Sequence, residues 1–294
     1  MPISSVQVAA DTALWVTDEG DGHPIPFIHG LACDSSDWSA QVHRFRADHR
    51  VIAPDVRGHG RSMVTVDGYD LRTYADDIVS LLDHLAVRSC VLVGHSLGAL
   101  VAAWLAVEQP DRVRALVALD PGWAPPHERR FHEDAGEAAA APGSLTKIFE
   151  ASDSRFTPDY FRESHRRAAL VSEPSVIHQS WQGCFLAPDS LAFDTDRLLR
   201  RRCLALHSNA HPGRAAWEWT LPPNDRSRSH RRTPGRALAS PRCPRTREPV
   251  HRRLARNAAG LTRAAQHRHR DHVSCLESKS TVSERHAPRR AMSA

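Results

Sequence analysis

Val91-Leu92-Val93-Gly94-His95-Ser96-Leu97-Gly98, running on into residues 99–108, is the stretch that decides the fold. Val91-Leu92-Val93 is a continuous apolar run, as in a strand covered on both faces. Residues 99–108 are apolar at nearly every position and stop before Pro110, which cannot continue a helix. Between strand and helix lies the pattern Gly94-x-Ser96-x-Gly98. A sharp strand-to-helix turn pushes a serine hydroxyl outward, and glycines two before and two after leave room for the turn. The helix N-terminus and the Leu97 amide then face the oxygen that becomes negative during acyl transfer. The five-residue pattern alone occurs by chance in glycine-containing chains. Its position between a buried strand and a helix gives it meaning.

Working outward, strands and helices alternate. Residues 6–16 alternate loosely, as an edge strand pair does. Pro26-Phe27-Ile28 and residues 50–54 read as short strands, and residues 116–119 as a further buried one. Residues 38–45 have helical spacing. Residues 74–85 carry the stripe Ile78, Leu81, Leu82 and Leu85. The fold class is therefore α/β, a mostly parallel sheet with helices on both faces. Residues 124–195 break the alternation. Segments 138–141, 145–149, 160–170 and 176–184 read as helices with no strands between them, an inserted helical cap. Residues 203–207 return as a strand. The expected organisation is 1–123 core, 124–195 cap, 196–222 core with the seventh strand, and 223–294 a separate basic segment.

Charge sets that last segment apart. Residues 1–225 hold 21 basic and 30 acidic residues, a net of −9, whereas residues 226–294 hold 18 and 4, a net of +14. The segment has no Phe, Tyr or Trp, since the last aromatic residue is Trp219. Such a composition predicts a disordered tail in place of an eighth strand and final helix. The charge suits phosphate, but without aromatic residues to stack on bases the sequence argues against nucleic-acid binding. Cys33, Cys90, Cys184, Cys203, Cys243 and Cys275 are scattered without a Cys-x-x-Cys pair. That argues against zinc or a disulfide framework and for a reducing, cytoplasmic setting. The first residues show no basic start followed by an apolar run, and no apolar stretch reaches membrane-spanning length, so neither a secretory signal nor a membrane partner is expected.

Two more segments accompany the Ser96 turn. His29-Gly30-Leu31 follows the short strand, and Asp55-Val56-Arg57-Gly58-His59-Gly60-Arg61-Ser62 has the form D-x-R-G-x-G-x-S. With these three motifs in order, residues 10–222 resemble the α/β-hydrolase fold superfamily, in the branch of small cytoplasmic esterases, C–C hydrolases and cofactor-free haloperoxidases. The resemblance implies an eight-stranded sheet with a helical cap, a Ser–acid–His triad, no metal and no cofactor. It implies Ser96 as nucleophile and the Leu31 and Leu97 amides as oxyanion hole. His29, Gly30, Gly94, His95 and Gly98 support the pocket or the motif, His59 is structural, and Asp55 braces a loop. Epoxide hydrolases and haloalkane dehalogenases share the fold but need an aspartate where Ser96 stands.

The triad acid of such enzymes follows the seventh strand or, less often, the sixth. Ser208-Asn209-Ala210 after the seventh offers no carboxylate, so Asp120, in Asp120-Pro121-Gly122, is the candidate; Asp194, Asp196 and Asp225 are alternatives. The base belongs after an eighth strand. None of His230, His251, His267, His269, His272 and His286 follows an apolar strand. Two lysines against 37 arginines point to a GC-rich coding sequence. A +1-shifted reading of residues 228–255 permits a strand V-V-I-V-E, then G-H-L-L, then a helix E-P-V-N-R-F-I-A-D-W-L, and a stop soon after. The expectation is a frameshift beginning after about residue 221. The parent activity is then cleavage of a carboxylic ester or related small acyl substrate, with the histidine lost from this chain. The rival is a catalytically dead pseudo-hydrolase that binds a small ligand.

Overall fold

The computed structural model describes residues 3–124, 128–139, 141, 143–152, 157–188, 190, 192, 203–207 and 231–232. Strands β1 (Ile3–Ala9), β2 (Thr12–Glu19), β3 (His23–Ile28), β4 (His49–Pro54), β5 (Cys90–His95), β6 (Val113–Leu119), β7 (Cys203–His207) and β8 (Arg231–Arg232) form one sheet in the order β1-β2-β4-β3-β5-β6-β7-β8. β1 and β2 pair antiparallel, as does β2 with β4, and every later pairing is parallel. The loosely alternating N-terminal residues are thus the expected edge pair. Parallel neighbours run their C-terminal ends to the same edge, so β3, β5 and β6 deliver His29, Ser96 and Asp120 to one side of the sheet.

Helices α1 (Ser39–Phe45), α2 (Leu71–His84) and α3 (Leu97–Glu108) connect the strands. α2 buries one stripe, including Tyr74, Ile78, Leu81 and Leu82. It is capped by Asp70, whose carboxylate accepts the Thr73 N–H at 2.9 Å. α3 is apolar around most of its circumference and is buried accordingly, with Leu97, Leu100, Ala102 and Leu105 at most 1% exposed. A Cβ on Gly98 would lie 2.2 Å from the Ile28 carbonyl oxygen, and one on Gly94 would lie 2.3 Å from that of Gly98. These two glycines are what allow α3 to lie against β3 and β5 so closely.

The cap contains α4 (Arg129–Ala139), α5 (Ser144–Ser152), α6 (Asp159–Val171) and α7 (Pro174–Trp181), followed by a π-helical turn, Gln182–Leu186. Two expectations are adjusted. α4 begins nine residues before the predicted 138, on a polar run whose Arg130 pairs with Asp134 at 3.1 Å. The predicted helix 176–184 divides into α7 and the π turn. Among the described residues, β7 pairs at its outer edge with the two residues of β8, Leu206 opposite Arg231 and His207 opposite Arg232. The rest of segment 223–294, where a tail in place of the final helix was expected, lies outside the described residues with its histidines, as do Asp194, Asp196 and Asp225.

Candidate active site

Ser96 stands between β5 and α3 with φ 50 and ψ −111, a conformation that L-residues avoid. It is held there from three directions. Its N–H donates to the Leu119 carbonyl at 3.1 Å. Its carbonyl accepts from Ala99 at 3.1 Å within α3 and from Gly122 at 3.2 Å across the chain. Strain at one residue persists only where the surroundings over-determine it, as strand, helix and neighbouring loop do here. The side chain is partly exposed in an otherwise buried setting.

The loop after β3 closes against this turn. A Cβ on Gly30 would lie 2.9 Å from His95 Nδ1 and 3.5 Å from Ser96 Cβ, so Gly30 permits the approach. The Cys33 N–H closes a turn onto the Gly30 carbonyl at 3.2 Å, with Ala32 at φ 60. That hydrogen bond leaves the Leu31 amide outside the turn's own pairing. Leu97 opens α3, where the first-turn amides have no carbonyl within the helix. Of the expected site residues, Gly30, Gly94, His95, Ser96, Leu97 and Gly98 are thus gathered at one point, and Leu31 follows directly on Gly30.

His29, His59 and Asp55 are each hydrogen-bonded to the surrounding loops. His29 Nδ1 meets the Gly30 carbonyl at 2.8 Å and its Nε2 accepts the Val56 N–H at 2.9 Å, so both ring nitrogens are engaged by the loops. His59 is 4% exposed. Burial pulls its pKa down from 6.5 to about 4, and the neighbouring His29 adds to this. Asp55 is buried; burial raises its carboxyl, but Arg61 and Ser35 outweigh that and hold it below the ordinary value. Its oxygens accept Ser35 N–H at 2.8 Å, Arg61 N–H at 2.9 Å and Arg61 Nε at 2.8 Å. A carboxylate so engaged braces loops.

Asp120 follows β6 with φ 38, beside the strand end that accepts the Ser96 amide. Burial lowers the His95 pKa, while the charges of Asp37 and Asp120 oppose it.

Sequence reasoning missed a second group of side chains beside this site. Cys33 Sγ, an Asp37 carboxylate oxygen and a His165 ring nitrogen lie within 4.8 Å of one another. Burial pushes the Asp37 carboxyl up, opposed by Cys33 and by His29, His165 and His95. Burial, then the charges of Asp37 and Asp34, push the Cys33 thiol well up. The only local signal was the i, i+4 spacing of Cys33 and Asp37. His165 arrives from α6, which no spacing in the sequence announces.

Residues 23–194 match the family model described as alpha/beta hydrolase fold, more than half of the chain. A bifunctional esterase/perhydrolase of Acinetobacter calcoaceticus is 33% identical over 168 residues, 55% of this chain and 61% of that protein. An epoxide hydrolase of Caballeronia sordidicola is 40% identical over 110 residues, 36% of this chain and 33% of that protein. The chain therefore spans less than two thirds of these relatives, and similarity over the shared part does not choose the reaction. A thermophilic esterase from Thermogutta terrifontis superposes with a TM-score of 0.63 at 25% identity, covering 79% of this chain and 88% of that one. Among the described residues no helix is long and apolar enough to cross a membrane.

Proposed function

The chain belongs to the alpha/beta hydrolase fold family, and on that premise we propose that it derives from a serine hydrolase of carboxylic esters or related small acyl compounds. The observation that carries this reading is the backbone of Ser96, held at φ 50 between β5 and α3 beneath the Gly30 loop. Ser96 Oγ attacks the acyl carbon, and the Leu31 and Leu97 amides receive the negative charge on the carbonyl oxygen. Asp120 orients the histidine that takes the serine proton. A serine at this position disfavours the epoxide-opening reaction, whose covalent ester intermediate is built on a carboxylate.

The histidine is the missing part. None of the six histidines after Asp225 follows an apolar strand, and a +1 reading of residues 228–255 restores a strand, a Gly-His and a terminal helix at suitable spacing. We therefore assign the break to a frameshift after about residue 221. The chain as written then retains the nucleophile without its base, at a cost on the order of 10⁴- to 10⁶-fold in kcat. The non-catalytic alternative, a pseudo-hydrolase holding a small ligand beneath the cap, rests on the same missing histidine. Hydrolysis of short p-nitrophenyl esters by the chain as written and by its frame-restored counterpart separates the two. The hydrolase reading expects activity in the restored protein and its loss in Ser96→Ala. Inactivity of a folded restored protein across short and medium acyl chains supports the binding protein.

A further inference from the structure

The cluster of Cys33, Asp37 and His165 takes no part in acyl transfer as proposed, and its argument is independent of Ser96. Its members come from two layers of the molecule. Cys33 and Asp37 sit in the loop after β3 and its 3-10 turn, Ser35–Trp38, while His165 sits on cap helix α6. The three side chains contribute sulfur, oxygen and nitrogen, and these atoms lie within 4.8 Å of one another. Zinc takes thiolate at about 2.3 Å, imidazole at about 2.0–2.1 Å and carboxylate at about 2.0–2.2 Å, so ligand atoms in a tetrahedral set are roughly 3.3–3.7 Å apart. Small side-chain rotations separate the present arrangement from that geometry.

Two further observations point to a ligand. Asp37 Oδ1 is shielded from solvent and accepts no hydrogen bond, an arrangement that costs free energy unless something else occupies the oxygen. The His165 ring is also held in place. Phe149 stacks on it at 4.5 Å and 16°, and Phe161 meets it edge-on at 4.5 Å and 68°. A ligating imidazole benefits from such fixing. The seam around the cluster is already closed by polar contacts. Ser36 Oγ and Ser164 Oγ are 2.8 Å apart, and Arg167 Nη2 donates to Asp34 at 2.7 Å. Asp37 and His165 are only partly buried, so an ion has a way in.

We propose that Cys33 Sγ, the Asp37 carboxylate and the His165 imidazole bind Zn(II), clasping cap helix α6 to the loop that carries the Leu31 amide. The Cys33 thiol gives its proton to solvent as the ion binds, the imidazole binds neutral, and the fourth position is left to water. The donor set of one sulfur, one nitrogen and one oxygen suits zinc better than magnesium or calcium, which prefer oxygen alone. The ion so held fixes the cap over the Ser96 turn.

The test uses the full chain, stripped of metal with a chelator and titrated with Co(II). A single equivalent is expected to give the thiolate-to-cobalt charge-transfer band and the visible bands of tetrahedral Co(II), and Zn(II) is expected to displace both. Cys33→Ala should remove the charge-transfer band. Asp37→Asn and His165→Gln should each weaken Co(II) binding by more than about 10-fold; both keep the buried Cys33, so they serve if Cys33→Ala fails to fold. A Cys243→Ala/Cys275→Ala chain should bind as before, although extra histidine-bound Co(II) without a thiolate band is compatible with the site. The proposal is overturned if no thiolate band forms, if the band survives Cys33→Ala, or if it vanishes in the Cys243→Ala/Cys275→Ala chain.

Discussion

The sheet core and the cap are held by different physics. In the core, α3 is buried almost all round and meets β3 and β5 through Gly94 and Gly98, where a single added methyl would collide with backbone. The cap helices are amphipathic and carry surface ion pairs, such as Arg166 with Glu163 at 2.6 Å. Leu170 and Val171 at the end of α6 remain 79% and 60% exposed. Where the cap meets the nucleophile side, several contacts are single polar links: Tyr74 Oη to Ser180 Oγ at 2.8 Å, Ser36 to Ser164, and Arg167 to Asp34. α7 and the turn after it share that packing, with Val176, Cys184 and Phe185 buried in the main core, whereas α6 meets the nucleophile side through a few polar links. On the proposed reading, chemistry falls to the rigid region and selectivity to the adjustable one.

The largest expected effect falls in the rigid region. In a frame-restored chain Asp120→Asn should lower kcat on the order of 10⁴-fold with little change in KM, because the carboxylate acts through the histidine in the transition state. Near-normal kcat in that variant, with a crippling effect at Asp194 or Asp196, would move the acid off β6. Next comes packing. Gly98→Ala places a methyl 2.2 Å from the Ile28 carbonyl, a backbone atom that cannot swing away. It should cost about 3 kcal/mol or more, read as a lower urea midpoint.

A comparable effect is expected from pH. The His59 pKa of about 4 lies below the ordinary 6.5, so between these values the unfolded chain binds more protons than the folded one. Its contribution is complete above pH 6.5 and is lost as pH falls toward 4, by roughly 3 kcal/mol at most. His59→Gln should flatten that part of the stability curve, unless the slope belongs to another buried group. The smallest effect belongs to the cap. Arg167→Ala removes a half-exposed partner of Asp34 and should cost about 0–1 kcal/mol while raising KM more than it lowers kcat. A loss of several kcal/mol there would erase the distinction between the two regions.

The same distinction explains what was legible in the sequence. The turn at Ser96 could be read because its requirements are local: an apolar run, two glycines at fixed offsets and an apolar helix. The mostly parallel sheet with helices on both faces followed from the alternation of strands and helices, but the strand order did not. The start of α4 was missed because its first turns are carried by arginine–carboxylate pairs and its apolar face is built mostly of alanines. The π turn after α7 has no spacing signature of its own. Asp120 was singled out by its place after a strand, but four carboxylates remained open because the choice depends on which loop reaches the histidine. The grouping of Cys33 and Asp37 with His165 spans 132 residues and exists only once α6 has docked. Cys33 was noticed only as a cysteine without a neighbouring cysteine.

The central claim, that Ser96 is an activated nucleophile awaiting its base, is tested most directly by a fluorophosphonate probe followed by mass spectrometry of the peptide containing residue 96. The frame-restored chain should label at Ser96 and nowhere else, its Ser96→Ala variant should not label, and the chain as written should label more slowly by orders of magnitude. Labelling that persists in the Ser96→Ala variant, or equal rates in the restored and unrestored chains, would contradict the account.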